Sequence, residues 1–262
     1  MFMLREKIIF FGNGPLAEYA LGVVSEKCEV VFHARRKEDL EEVCRLKNEV
    51  PEAHGVLASF GVLIKSDVLD LFEPEGILNI HPSLLPSFRG ASPIESAILA
   101  GDSEFSVSVM KLVKAMDAGP IYYQTTLSDL PICKDEIYKA LAETGAKWIC
   151  DNLANLPKPV LQDDLKATFC GKLEKSMGEL TPETDTAEQT FRKIVAFQGF
   201  PKPKYTFYGT KCIILEAHVL KQGETATLSI PCADGGVVAI DRLQPEGRKP
   251  MDTKAFLNGY KR

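Results

Sequence analysis

The sequence predicts an α/β protein in which a mostly parallel sheet is followed by a smaller domain of β structure. Three observations support this prediction. Apolar runs alternate with helix-like stretches over the first 80 residues, the composition changes after Leu153, and short β-like runs follow Tyr205. A chain of 262 residues is long enough for two domains of modest size.

The N-terminal part alternates strand and helix. Strands are predicted over residues 7–11, 28–33, 53–60 and 76–80, and helices over residues 16–26, 37–48 and 66–72, the last with Ser66 as its N-cap. Because right-handed crossovers place such strands side by side, we expect a Rossmann-like sheet with covering helices.

Two further strands are predicted over residues 105–113 and 120–126, joined by a loop over residues 114–119. A long helix should follow them, because the stretch 134–153 has apolar side chains at helical spacing. These are Ile137, Leu141, Trp148 and Ile149. We expect this helix to pack on the sheet.

The composition shift after Leu153 indicates a linker, since residues 155–159 and 178–185 are rich in Pro, Thr, Glu and Asp. A helix is then expected to restart at Asp185, whose spacing to Glu188 resembles a capping box. Runs over residues 212–215, 225–230 and 237–243 follow, separated by Gly or Pro turns as in a small barrel or sandwich.

These shifts predict two domains. The first covers residues 1–180, including a linker from about residue 155, and the second covers residues 181–262.

The composition excludes several classes of protein. Hydrophobic residues make up 45% and charged residues 26%, so a disordered or low-complexity chain is not expected. The longest apolar runs, residues 8–11 and 107–110, are far too short to cross a membrane. Seven scattered cysteines without a Cys-x-x-Cys pair argue against a disulfide framework and for a reducing, cytoplasmic compartment. The four histidines have no ligand-like spacing, so no metal is expected.

Charge is distributed unevenly along the chain. The net charge is −5, yet residues 189–262 carry 12 Lys and Arg against 6 Asp and Glu. A basic C-terminal third is typical of contact with a polyanion, although a solvated lysine-rich surface gives the same pattern.

The most informative segment is Asn79-Ile80-His81-Pro82-Ser83-Leu84-Leu85-Pro86, which begins at the C-terminal end of a predicted parallel strand. Open α/β sheets bind ligands at that edge. Asn79 and His81 alternate by two and so share one side of the strand. An amide beside an imidazole suits a carbonyl whose oxygen becomes negative, because both can donate to that oxygen.

A third polar group is expected from the loop between the later strands. Asp117 lies there, followed by Gly119, which allows a close backbone approach. Its carboxylate could orient His81, favour the charged ring or hold a water. The simpler alternative is a turn aspartate that caps its own backbone.

These residues resemble the formyltransferases that use 10-formyltetrahydrofolate. Asn79-x-His81-x-Ser83-Leu84-Leu85-Pro86, with Asp117 further along, matches the pattern of the family's catalytic triad, which the resemblance assigns to Asn79, His81 and Asp117. Residues 89–94, 100–102, 192–197 and 244–251 are similar to the methionyl-tRNA formyltransferases within that family. This resemblance implies an OB-like barrel as the second domain.

The resemblance also implies two sets of binding residues. Those expected to contact the formyl donor 10-formyltetrahydrofolate are Ser83, Leu84, Leu85, Pro86, Leu57, Phe60, Gly61 and Met110. Those expected to contact the initiator methionyl-tRNA are Arg35, Arg36, Lys37, Arg89, Lys202, Lys204, Arg248 and Lys249. No metal and no membrane are implied, and a monomer is expected. Only residues 34–52 separate the second and third strands, so this is a shortened member of the family.

Other functions fit parts of the sequence. A formyltransferase for another amine, a sugar nucleotide or glycinamide ribonucleotide, would keep the same three polar residues. A dinucleotide-binding enzyme is disfavoured because Gly12-x-Gly14 is followed by Ala17 and the second strand ends in Phe32-His33-Ala34, with no acidic residue there to hold a ribose. A non-catalytic nucleic-acid-binding protein would leave Asn79, His81 and Asp117 without a purpose.

Overall fold

The computed structural model describes residues 5–260, which form two compact units. The first unit contains residues 5–94 and 103–171, and the second contains residues 95–102 and 172–260. The domain boundary predicted between residues 180 and 181 stays a prediction.

The first unit is built on a six-stranded sheet. The strands of the unit, including two outside that sheet, are β1 (Lys7–Phe11), β2 (Glu29–Ala34), β3 (His54–Leu57), β4 (Ile77–His81), β5 (Arg89–Gly90), β6 (Phe105–Lys111), β7 (Ile121–Leu127) and β8 (Phe169–Cys170). The sheet has the order β2-β1-β3-β4-β6-β7, in which the first four strands are parallel and the last two are antiparallel. The predicted Rossmann-like, mostly parallel sheet is therefore confirmed, and β5 and β8 form a separate parallel pair.

Helices cover this sheet as expected. In chain order the helices of the protein are α1 (Pro15–Lys27), α2 (Leu40–Glu49), α3 (Ser66–Asp70), α4 (Pro93–Ala100), α5 (Lys134–Asn152), α6 (Ala187–Ala196) and α7 (Thr253–Tyr260). Helix α5 packs against α1 and β6 and buries Ile137, Leu141 and Ile149. Trp148 instead stacks on Tyr123 of β7, with ring centroids 5.0 Å apart.

Two predicted helix N-caps are wrong by one residue. Helix α3 begins at Ser66 itself, so Lys65 precedes it and no side chain caps it. Helix α6 is capped by Thr186, whose hydroxyl accepts from the backbone N–H of Gln189 at 3.1 Å, while the Gln189 amide oxygen accepts from Thr186 N–H at 2.9 Å. Asp185 does not cap this helix because its carboxylate accepts from Lys193 at 2.6 Å.

The second unit is an antiparallel β structure. Its strands are β9 (Lys204–Phe207), β10 (Thr210–Val219), β11 (Ser229–Pro231), β12 (Val237–Pro245) and β13 (Met251–Asp252), in the order β11-β12-β10-β9 with β13 on β12. Its core gathers buried side chains of the strands, α6 and α7, among them Ile194, Ile214, Leu243 and Phe256. This antiparallel half-barrel confirms the predicted OB-like second part of the fold class.

Within residues 5–260, no helix has both the length and the apolar character that crossing a membrane requires.

Candidate active site

Strand β4 places two polar side chains in an otherwise apolar interior. Asn79 and His81 are each only 5% exposed, and their neighbours on the strand, Leu78 and Ile80, are fully buried. The strand lies between β3 and β6, which fixes its register on both sides. Burying polar groups is costly unless they have partners, so the contacts of these two side chains need to be accounted for.

The loop between β6 and β7 brings Asp117 to this edge. Its Oδ1 lies 3.7 Å from Nδ1 of His81, and its Oδ2 accepts a hydrogen bond from the backbone N–H of Gly90 at 2.9 Å. The carboxylate is therefore oriented by a backbone donor on one oxygen and faces the imidazole with the other. The geometry supports the role expected for Asp117 against that of a turn residue that caps its own backbone.

Two acceptors surround the His81 ring. Nε2 lies 3.0 Å from the carbonyl oxygen of Phe88, and Nδ1 faces the carboxylate of Asp117. A carbonyl only accepts, so Nε2 carries a proton, and a neutral ring would then turn a lone pair of Nδ1 towards the carboxylate. A proton on Nδ1 would make the contact with the carboxylate attractive as well.

The amide of Asn79 is uncommitted. Among the hydrogen bonds formed by residues 5–260, none involves its side chain, and neither of its amide atoms is sealed off from solvent without a partner. An amide held on a strand, beside an imidazole and free to donate, suits a developing negative charge on a substrate oxygen.

The loop that follows β4 is fastened from the sheet. Ser108 of β6 accepts from the backbone N–H of Leu85 at 3.1 Å and donates to the carbonyl of Ser83 at 2.6 Å. Gln124 of β7 donates to the carbonyl of Leu85 at 2.8 Å and to the Ser108 hydroxyl at 2.9 Å. These bonds fix the loop whose Phe88 carbonyl faces His81.

The pair of strands β5 and β8 fastens the other end of the loop. Phe88 N–H donates to the Thr168 hydroxyl at 2.8 Å, and Arg89 N–H donates to the Thr168 carbonyl at 2.9 Å. Gly90 has a φ of +123°, and a Cβ there would lie 2.1 Å from the carbonyl oxygen of Cys170. Only glycine therefore lets the two strands approach so closely while it donates to Asp117.

The structure corrects the prediction for Arg89. Its side chain is buried, with Nε and Nη2 donating to Oε1 of Gln162 at 3.0 and 2.7 Å and Nη2 pairing with Asp164 at 2.7 Å. A buried guanidinium with these partners is not available to a phosphate, so Arg89 is excluded from the expected tRNA contacts.

The other residues expected to contact tRNA lie at the surface with one exception. Arg35, Arg36, Lys37, Lys202, Arg248 and Lys249 are exposed. Lys204 is partly buried and lies 3.7 Å from Glu179. Arg36 is engaged locally, since its Nε lies 3.3 Å from Asp39.

The residues expected to contact folate divide by exposure. The side chains of Leu57, Phe60, Ser83, Leu85 and Met110 are buried. Leu84 is 48% exposed, Gly61 is exposed and Pro86 is partly buried. Leu85 therefore anchors the loop, and Leu84 is the leucine that offers an apolar surface; the buried positions can offer a ligand mainly their backbone.

Sequence reasoning missed the residues that hold the site together. Gln162 lies in the segment interpreted as a linker, and nothing in its local pattern distinguishes it. Ser108 carried a signal, because a hydroxyl between Val107 and Val109 interrupts an apolar strand. In the part of the chain that the structure describes, no cluster of three or more His, Cys, Asp or Glu could hold a metal ion.

Comparisons with known proteins identify the family of the chain. Residues 15–153 match the formyl transferase family model, and residues 172–261 match its C-terminal domain model. Together these matches cover most of the chain. The chain belongs to the formyl transferase family, and it is by that membership an enzyme that transfers one-carbon formyl groups.

Its relatives within the family are more specific. The chain is 35% identical over 226 residues to the methionyl-tRNA formyltransferase of Dehalococcoides mccartyi strain 195, covering 79% of this chain and 70% of that protein. Its fold resembles the Clostridium thermocellum methionyl-tRNA formyltransferase, with a TM-score of 0.68 and 19% identity over 92% of this chain and 99% of that one.

A second structure with the same fold is HypX from Aquifex aeolicus, in complex with tetrahydrofolic acid. The TM-score is 0.76 at 17% identity, and 98% of this chain is covered. The chain spans about half of HypX, 48% of its length. This similarity concerns the fold.

Proposed function

We propose that this protein transfers the formyl group of 10-formyltetrahydrofolate to the α-amine of initiator methionyl-tRNA, for translation initiation in the cytoplasm. The observation that carries the proposal is the His81–Asp117 pair beside the uncommitted amide of Asn79, in a chain with methionyl-tRNA formyltransferases among its relatives. We further propose that it acts as a monomer.

Attack by the neutral amine forms a bond from its nitrogen to the formyl carbon and places negative charge on the formyl oxygen. An α-amine has a pKa of ~7.7–8.0, so a useful fraction is neutral near neutral pH. The main task is then to stabilise the oxyanion. Asn79 supplies the free hydrogen-bond donor, and the His81 imidazolium supplies positive charge beside it.

Collapse of the tetrahedral intermediate breaks the bond from the formyl carbon to N10 of the folate. The amine loses one proton and N10 gains one, so the transfer needs no other reactant. In this proposal Asp117 accepts the amine proton through a water, and its negative charge faces the His81 imidazolium.

The folate would lie over the loop of residues 83–86, with Leu84 as its apolar contact and its pterin against the backbone of residues 57–61. The tRNA would be held by Arg35, Arg36, Lys37, Lys202, Lys204, Arg248 and Lys249. Phosphate contacts of this kind make binding strongly dependent on salt.

A second candidate is formyl transfer to another amine, on a sugar nucleotide or glycinamide ribonucleotide, because the same polar residues would serve that chemistry. The basic C-terminal part of the sequence favours tRNA, since residues 189–262 contain 12 Lys and Arg but only 6 Asp and Glu.

The test is a formyl-transfer assay with 10-formyltetrahydrofolate and charged initiator methionyl-tRNA, with glycinamide ribonucleotide and amino-sugar nucleotides as competing acceptors. We expect methionyl-tRNA to be formylated and His81→Ala to lose roughly 10²-fold or more in kcat. Formylation of a competitor in place of methionyl-tRNA would refute the proposed acceptor. Near-normal turnover by a folded His81→Ala protein would refute the proposed site.

A further inference from the structure

The loop between β6 and β7 has an unfavourable backbone conformation at Asp117. Asp117 has a φ of +47°, in the left-handed region that a non-glycine residue rarely adopts. Such a residue keeps its conformation only where its surroundings impose it. The groups that hold Asp117 therefore decide where its carboxylate lies.

Two backbone carbonyls of this loop converge on one side chain. The carbonyl oxygens of Asp117 and Gly119 accept from Nε2 of Gln162, at 2.8 and 2.7 Å. A primary amide has two N–H groups, so one nitrogen can serve both carbonyls. Gln162 thus joins the carbonyls on the two sides of Ala118.

The other end of the Gln162 amide is fixed by Arg89. Oε1 accepts from Nε and Nη2 of the guanidinium at 3.0 and 2.7 Å. Because guanidinium groups only donate and carbonyls only accept, the amide can point in one direction alone. Arg89 is 4% exposed and its Nη2 also pairs with Asp164, so the guanidinium is itself held in place.

Residues of strand β5 act on both the side chain and the backbone carbonyl of Asp117. Gly90 donates its N–H to the carboxylate, and its neighbour Arg89 acts on the Asp117 carbonyl through Gln162. We propose that Gln162, oriented by Arg89, is a positioning residue that holds Asp117 against His81. This inference rests on the catalytic role proposed for Asp117.

The chemistry restricts which side chain can do this. Gln162→Glu keeps the length and the contact with Arg89 but turns a carboxylate oxygen towards two carbonyls, which repel it. Gln162→Met keeps the approximate volume and removes both functions of the amide. We expect both variants to lower kcat by up to about 10²-fold, the effect of displacing a reacting group by ~1 Å. The KM for 10-formyltetrahydrofolate should change by less than about threefold, because the loop of residues 83–88 is held by other bonds.

Hydrogen–deuterium exchange gives a readout that does not depend on activity. The backbone amides of residues 112–120 should exchange faster in both Gln162 variants, and those of residues 83–88 should not. Arg89→Lys keeps the buried charge but cannot present the same pair of donors to Oε1, so it should show the same changes to a smaller degree.

Gln198 provides a matched control in the other unit. Its Nε2 also donates to two carbonyls, those of Ile214 and Leu215, both at 3.1 Å. Gln198→Glu and Gln198→Met should alter stability without lowering kcat by more than about threefold.

The outcomes separate this inference from the proposed function. Gln162 variants with normal kcat, or with reduced kcat but unchanged exchange over residues 112–120, would overturn the positioning role. Full turnover by Asp117→Asn would instead overturn the proposed site. The exchange comparison would still report whether Gln162 holds the loop.

Discussion

Nδ1 of His81 lies 3.7 Å from Oδ1 of Asp117, although the two residues are far apart in the sequence. Strand β6 is antiparallel to β4 and its last residue, Lys111, lies opposite Leu78 near the start of β4. The loop from β6 to β7 must therefore fold back along β4 to bring Asp117 to His81. Gly90 N–H holds the carboxylate by a second contact that does not involve His81.

Asp117→Asn should remove most of the activity and leave the fold intact. The amide oxygen can still accept from Gly90 N–H, whereas the charge beside His81 and the proton acceptor are lost. We expect kcat to fall by roughly 10²–10⁴-fold, the usual contribution of a general acid or base. Single-turnover formylation measures it, and a change of less than about threefold would contradict the role assigned to Asp117.

Asn79→Ala should lower kcat by roughly 10²–10³-fold, as the loss of one oxyanion donor does in other enzymes, with little effect on substrate KM. Steady-state kinetics with both substrates measures the two constants. Asn152→Ala is the matched control, because its amide only donates to the Trp148 carbonyl within helix α5, at 2.8 Å. Equal kinetics for the two variants would remove Asn79 from the mechanism.

Ser108→Ala should destabilise the first unit. It leaves the N–H of Leu85 and the carbonyl of Ser83 without their buried partner, at about 1–3 kcal/mol for each unsatisfied group. The protein has one tryptophan, Trp148 in this unit, so urea unfolding followed by its fluorescence reports the change.

Ser106→Ala is the control for this change, since its hydroxyl bonds to that of the exposed Thr126, at 2.8 Å. It should alter the free energy of unfolding by less than about 0.5 kcal/mol. The Ser108 variant should also raise the KM for the folate by loosening residues 83–86. Equal stability of the two variants would show that Ser108 does not fasten the loop.

Thr186→Ala should cost about 0.5–2 kcal/mol of stability in the second unit, because the hydroxyl caps α6 in a reciprocal pair with Gln189. Ser66→Ala, at a helix start without a side-chain cap, should cost much less. Circular dichroism during urea unfolding compares them. A larger loss for Ser66→Ala would contradict the observed capping.

Arg248→Gln combined with Lys249→Gln should weaken tRNA binding and reduce its salt dependence. Each phosphate contact that is lost lowers the slope of log K against log salt by about 0.7–0.9. Filter binding of initiator methionyl-tRNA between low and moderate salt measures the slope. Arg45→Gln is the control, because Arg45 pairs with Glu42 and Glu49 on helix α2. An unchanged slope in the double variant would exclude these two residues from the interface.

Local patterns predicted the elements well where one chemical rule dominates. Apolar periodicity placed helix α5 within one residue of its observed end, and the alternation of strands and helices predicted the parallel part of the sheet. The cap of α6 was misplaced because Asp185 and Thr186 both suit an N-cap. The choice between them depends on Lys193, which binds the Asp185 carboxylate from within the folded helix.

The sequence by itself predicted the fold class and suggested the three polar residues of the proposed site, because strand periodicity and the motif around His81 are local properties. Only the tertiary structure decided what holds those residues. Arg89 has the charge expected of a phosphate contact, but its side chain is buried against Gln162. Gln162 is not distinguished by any sequence pattern, and only folding brings it to the carbonyls of Asp117 and Gly119. A hydrogen-bond partner 45 residues away is a matter of position in space, which no local pattern encodes.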